Sequence, residues 1–290
     1  MLCRPWPLLA ISVSLLLFGC SNTPTSSSEA QHFTDAKNNL KSSDFKAALS
    51  NLDITIKTTN DEAVRREASV IRVALITAMA DADQQLAEAY HIGAREPAAQ
   101  AQTGAFYKVR ADYGNTGRAY LMDAMQSVMD QRGKLDANAS PVAIEVAFPG
   151  FTGGMDQTLV RIKSGQFVSD ADRMSTELQL ERNALARVLT ALAGAGQDLN
   201  KGRDLYTAGK VNVDARAYIV ELSDSFLRIG GMFDIRALNE PDKLRTVNQV
   251  VEGNLVVATK LLAAKPDKDL ETRVKKMQAD CDKCLKKLGA

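Results

Sequence analysis

"LKSSDFKAALSNLDITI", residues 40–56, carries the two signals that decide the fold. Phe45, Leu49, Leu52 and Ile56 recur at three- and four-residue spacings, which puts them on one face of a helix with 3.6 residues per turn. Ahead of them, Ser42-Ser43-Asp44 breaks the apolar pattern with small polar residues of the kind that turn a chain and cap the next helix. An amphipathic helix opened by a tight turn predicts a helical hairpin, with the preceding segment packed antiparallel against it.

The same period continues in both directions. Val64, Ala68, Ile71 and Leu75 make a second stripe, and Leu121, Met125, Val128 and Met129 a third. Leu178, Leu185, Val188, Leu189 and Leu192 make a fourth, and Leu244, Val247, Val251, Leu255 and Leu262 a fifth. Turn residues at Gly93 to Pro97, Gly194 to Gly196, Gly230-Gly231 and Lys265-Pro266-Asp267 separate these stripes by short connections, which imply antiparallel neighbours. The expected fold class is all-α, with about nine to eleven helices.

One segment departs from this pattern. In "PVAIEVAFPGFTGG", residues 141–154, Val142, Ile144, Val146 and Phe148 alternate with period two before a Pro/Gly-rich break. With no second strand in view, it reads as an extended crossover laid over apolar helix surface. It divides the body into an N-terminal half at 31–140 and a C-terminal half at 155–290.

Three short stretches repeat a common form: "LKSSDF" at 40–45, "IKSGQF" at 162–167 and "YTAGKV" at 206–211. Each has an apolar residue, a small pair, a polar residue and a second apolar residue. They resemble the turn inside a tetratricopeptide unit, and "LAEAYHIG", residues 86–93, resembles that unit's first helix. The intervals between them are not multiples of the 34-residue repeat. The resemblance implies degenerate tetratricopeptide-like hairpins stacked as a solenoid; the alternative is an irregular helical bundle.

"YKVRADYG", residues 107–114, groups aromatic side chains and an arginine around Asp-Tyr-Gly. With the helical layout, it resembles the T component associated with TRAP-type solute transporters, a lipoprotein family of cryptic tetratricopeptide hairpins. That resemblance implies a non-enzymatic accessory to solute transport; the alternatives are an envelope assembly scaffold or a thiol redox accessory using Cys281 and Cys284. Tyr107, Arg110 and Tyr113 would form an amphipathic rim beside Phe148 and Phe151, giving a groove between the two halves for a protein or small-solute partner.

The N-terminus supplies the cellular context. Arg4 precedes an apolar run from Leu8 to Phe18, shorter than the roughly 20 residues that span a bilayer. This is the pattern of a signal peptide at residues 1–19. Leu17-Phe18-Gly19-Cys20 resembles the lipobox of bacterial lipoproteins, which implies that the Cys20 thiol carries the lipid and becomes the first residue after cleavage. "SNTPTSSSEA", residues 21–30, then reads as a flexible tether. Within that resemblance, Ser21 rather than an aspartate favours the periplasmic face of the outer membrane. Without residues 1–19 the chain keeps 35 acidic side chains and 35 basic ones, since Arg4 is the only charge removed. A nucleic-acid partner would call for a basic excess.

Few residues suggest chemistry. In "DCDKC", residues 280–284, Cys281 and Cys284 could form a disulfide, pack as small hydrophobes, or serve redox or metal chemistry. They share the apolar face of Leu270, Val274, Met277 and Leu288 near a helix C-terminus, where the dipole opposes a thiolate. Metal binding would need further ligands, but His32 and His91 are isolated and far away in sequence, and a haem attachment would require a histidine where Leu285 stands. "GFTGGMDQ", residues 150–157, either starts a helix or cradles an anion on backbone N–H groups. No catalytic set and no cofactor are expected.

Overall fold

The computed structural model describes residues 26–154, 156–234 and 238–289. The signal peptide, Cys20 and the first part of the tether lie outside the described residues. Among these, ten helices and one two-stranded ribbon account for the fold, which is all-α. No helix among them is long and apolar enough to cross a membrane.

Helix α1 (Ser26–Ser42) and helix α2 (Phe45–Thr58) form the hairpin expected at residues 40–56. Ser43 turns the chain with φ 64°, and the Asp44 carboxylate accepts the Ala47 N–H at 3.2 Å to cap α2. The backbone is already helical at Ser26, so the expected tether loses its last residues to α1. No glycine or proline interrupts the stretch from Ser26 to Ser42.

Helix α3 (Glu62–Gly93) is the centre of the molecule. Its 32 residues include a stretch, Val73–Gln84, that is buried on every side, because α2, α4, α6 and α8 all pack around it. A helix surrounded in this way is mostly apolar all round rather than striped, and the polar residues it buries in this stretch are Thr77, Asp81, Asp83 and Gln84. Its antiparallel partner is α4 (Thr103–Arg132), reached through a 3-10 turn at Pro97–Gln102. Arg72 on α3 ties the layers together: its guanidinium bonds Asp53 on α2 and, at 2.8 Å, Asp123 on α4.

The crossover is not a lone extended segment. Strand β1 (Val142–Ile144) pairs antiparallel with strand β2 (Val211–Val213), in the register Val142 with Val213 and Ile144 with Val211. Val211 belongs to "YTAGKV", so that stretch leads from a helix into a strand instead of joining two helices. Gly209, at φ 134°, makes the bend. Beyond β1 the alternation continues, with Ile144 and Val146 buried and Glu145 and Ala147 exposed.

The C-terminal half consists of α5 (Gln157–Lys163), α6 (Asp170–Leu192), α7 (Leu199–Thr207), α8 (Ala215–Gly230), α9 (Pro241–Ala264) and α10 (Lys268–Lys287). Side chains of Asp156, Ser169, Asp198, Asp214 and Asp267 cap five of them. "IKSGQF" does connect two helices, α5 and α6, but through a longer loop in which Phe167 stays partly exposed against Phe106. Hairpins are therefore present, but their unequal lengths wrap them around α3 as an irregular bundle.

Candidate functional site

A mostly apolar cavity of about 420 Å³ lies where the two halves and the crossover meet. The first turns of α3 contribute Glu62, Arg65, Arg66, Ser69 and Val70. The end of α4 and the loop after it contribute Gln131, Lys134, Leu135, Asp136, Ala139 and Ser140. The ribbon supplies Val142 and Val213, and α8 supplies Ala215 and Tyr218. The site exists because β1 and β2 pair at this point, holding the start of α8 against the ends of α3 and α4.

Its polar groups are mostly committed. The Tyr218 hydroxyl donates to Gln131 Oε1 at 2.7 Å, and burial raises its pKa further above the range in which it would ionise. Arg65 pairs with Glu62 at 2.9 Å and also donates to the Thr59 carbonyl. Asp136 accepts the Asn138 N–H at 2.9 Å. The described lining contains no histidine and no cysteine. A mostly apolar recess of this size, with charges at its mouth, has the dimensions of a small-molecule site.

A wider cleft of about 900 Å³ lies between α8, α9 and α10 and is lined by charged groups including Asp224, Arg228, Arg273, Lys276 and Asp280, with Cys284 at its wall. Arg273 is held by Glu221, with one bond of 2.8 Å. Cys281 and Cys284 are both free thiols here, so the disulfide considered from their spacing is not formed. Cys281 is fully buried under α9 residues, and burial, reinforced by Cys284 and nearby acids, pushes its thiol up to about 12. Burial raises Cys284 as well, which is the opposite of the shift a reactive thiol needs.

The five residues expected to line one groove fall into two places. Tyr113 donates to Glu177 Oε2 at 2.7 Å and stacks on Tyr90, with ring centroids 6.5 Å apart. Arg110 reaches the Leu238 carbonyl at 3.3 Å, and Tyr107 is exposed. Phe148 instead packs on Tyr206 at 5.8 Å and on Phe151 at 6.3 Å, in the main core rather than in the smaller apolar cluster around Tyr90 and Phe106. The cavity beside Phe151 is lined by Ser175, Leu178, Gln179 and Arg182 rather than by the tyrosines, and the larger cavity at the seam opens at the ribbon. Gly150 to Gln157 serves helix α5: the Asp156 carboxylate accepts the Thr158 and Leu159 N–H groups at 2.7 and 3.0 Å, filling the place an anion would take. His32 bonds Asn51 at 3.1 Å. His91 is buried, and burial, with Arg110 and Arg95 adding to it, lowers its pKa.

Two features escaped the reading of the sequence. Asp81 is fully buried in α3 and is clasped by Arg187 at 2.8 Å and Arg228 at 2.6 Å. Two residues on, Asp83 is pushed up to about 8 by burial and by Glu177 and Glu181, with Lys46 opposing; Glu181 is pushed up to about 7 by burial and Glu177. The available signal was a pair of aspartates, in "AMADAD" at residues 78–83, inside an otherwise apolar run. Among the described residues no group of three His, Cys, Asp or Glu is placed to hold a metal ion.

Compared with known proteins, the chain matches no protein-family model, no curated protein and no solved structure.

Proposed function

We propose that the chain is a lipid-anchored protein of the bacterial envelope, facing the periplasm from the outer membrane, whose helical body binds a small solute without transforming it. In this role it is an accessory to solute handling. The observation that carries the binding part is the cavity at the seam, where apolar walls from both halves surround a recess in which the Tyr218 hydroxyl is already bonded to the Gln131 amide oxygen. The anchor rests on the lipobox resemblance at Leu17 to Cys20. An acyl chain contributes about 0.8 kcal/mol per buried CH₂, so several chains on one cysteine hold a protein durably at a membrane.

Both parts can be tested separately. Cys20→Ala should move the protein from the membrane fraction to the soluble one, and globomycin should make the uncleaved form accumulate. Retention at the membrane with either treatment would remove the anchor from the account. For the cavity, titration calorimetry of the full chain in lipid nanodiscs with 1-naphthol, a small neutral apolar probe, should give one saturable site that Ala139→Trp abolishes by occluding the mouth. Absence of that site would remove the binding role.

A further inference from the structure

We infer that the ligand of the seam cavity is a small molecule with an apolar body and a single negatively charged head, a monocarboxylate being the simplest. This rests on the binding role proposed above and adds the charge and orientation of the ligand. The walls set the orientation: Val70, Leu135, Val213 and the Tyr218 ring leave the interior apolar. The Tyr218 proton is already given to Gln131 at 2.7 Å, so a polar group deep in the cavity would find that donor occupied. The head of the ligand therefore belongs at the mouth.

The charges at the mouth set its sign. Arg66 and Lys134 both line the cavity and are both exposed, one from α3 and one from the loop after α4. Among the described residues neither has a carboxylate partner, whereas Arg65 is taken by Glu62 at 2.9 Å. Two cations that line an apolar recess without a carboxylate partner attract an anion, and the guanidinium of Arg66 suits a carboxylate's two oxygens. Glu62 and Asp136 stand at the same mouth and limit the favourable charge to about one unit, which disfavours a doubly charged head. A volume of about 420 Å³ admits a body of one or two rings or a short chain.

The test compares 1-naphthoate, 1-naphthol and 1-naphthylmethylammonium by titration calorimetry on the full chain in nanodiscs, with empty nanodiscs subtracted. The naphthoate should bind once per chain and roughly tenfold more tightly than the naphthol, with the ammonium weakest. The double variant Arg66→Ala/Lys134→Ala changes only exposed side chains; it should reduce naphthoate affinity to that of naphthol and leave naphthol unchanged. Equal affinity for naphthoate and naphthol, or a preference that survives the double variant, overturns the inference while leaving the binding role intact. Failure of both probes to bind, or binding that Ala139→Trp does not disturb, overturns the binding role itself.

Discussion

Arg187 on α6 donates to Oδ2 of Asp81 on α3 at 2.8 Å, and the carboxylate it meets has no exposed side-chain surface. Arg228 on α8 takes the other oxygen at 2.6 Å, so one buried charge joins three helices of the two halves. The arginines are 33% and 42% exposed, so their own desolvation is partial. Stripping both away leaves an unpaired buried carboxylate, a change that costs about 3–5 kcal/mol.

The double variant Arg187→Ala/Arg228→Ala should therefore lose about 3–5 kcal/mol in urea unfolding, with each single variant losing less than half of that. Asp81→Ala should cost less than the double variant, since both arginines can turn their heads to water. Strict additivity of the two singles, or a larger loss for Asp81→Ala, would show that the carboxylate is not the costly partner.

The acids near α6 predict a pH dependence. Asp83 and Glu181 are raised to about 8 and about 7 in the folded chain from 3.8 and 4.5, in each case chiefly by burial. A folded-state pKa above the unfolded one means that folding takes up protons. The stabilisation is complete below the unfolded values, declines as pH climbs, and is gone once pH passes the folded values of 7 to 8. The urea midpoint should accordingly fall between pH 5 and pH 9. Asp83→Asn should flatten most of that fall, and a midpoint that rises with pH would contradict the assignment.

Close approach of α3 to α5 predicts a steric effect. A Cβ on Gly93 would sit 2.0 Å from the Ile162 carbonyl oxygen and 2.7 Å from the Phe106 ring. The backbone oxygen cannot rotate aside, so Gly93→Ala should cost about 1–3 kcal/mol by overpacking. Gly104→Ala, where a Cβ meets nothing within 4 Å on α4, should leave the melting temperature unchanged or slightly higher.

The thiols predict an order of labelling. Cys281 is fully buried and Cys284 is half-buried at the wall of the wide cleft. Iodoacetamide should reach Cys284 first in the native chain and Cys281 only on unfolding, as read by peptide mass spectrometry. Fast native labelling of Cys281 would mean that α10 is not seated on α9 as described.

The helices were legible in the sequence because their stripes face one direction: Phe45 and Leu52, or Val247, Val251 and Leu255, are buried where the period places them. The ribbon was not, because Val211–Val213 gives only three residues of alternation and its partner lies some seventy positions earlier. Pairing at that distance is set by packing, which a local pattern does not carry. The cavity was missed for the same reason. Its lining comes from segments around Arg66, Leu135, Val142 and Tyr218, and no local motif links them. The tyrosines at 107 and 113 looked like a recognition rim, yet Tyr113 is held by Glu177 and Tyr90, since an aromatic with a polar tip serves equally well between helices.

The central claim, that the seam between the halves is where this protein binds its ligand, is tested most directly by hydrogen exchange of the full chain with and without saturating 1-naphthoate. Slowed exchange is predicted in segments 65–70, 134–142 and 213–218, which surround the cavity. Unchanged exchange there, or protection confined to 224–234 and 273–284 around the wide cleft, would contradict it.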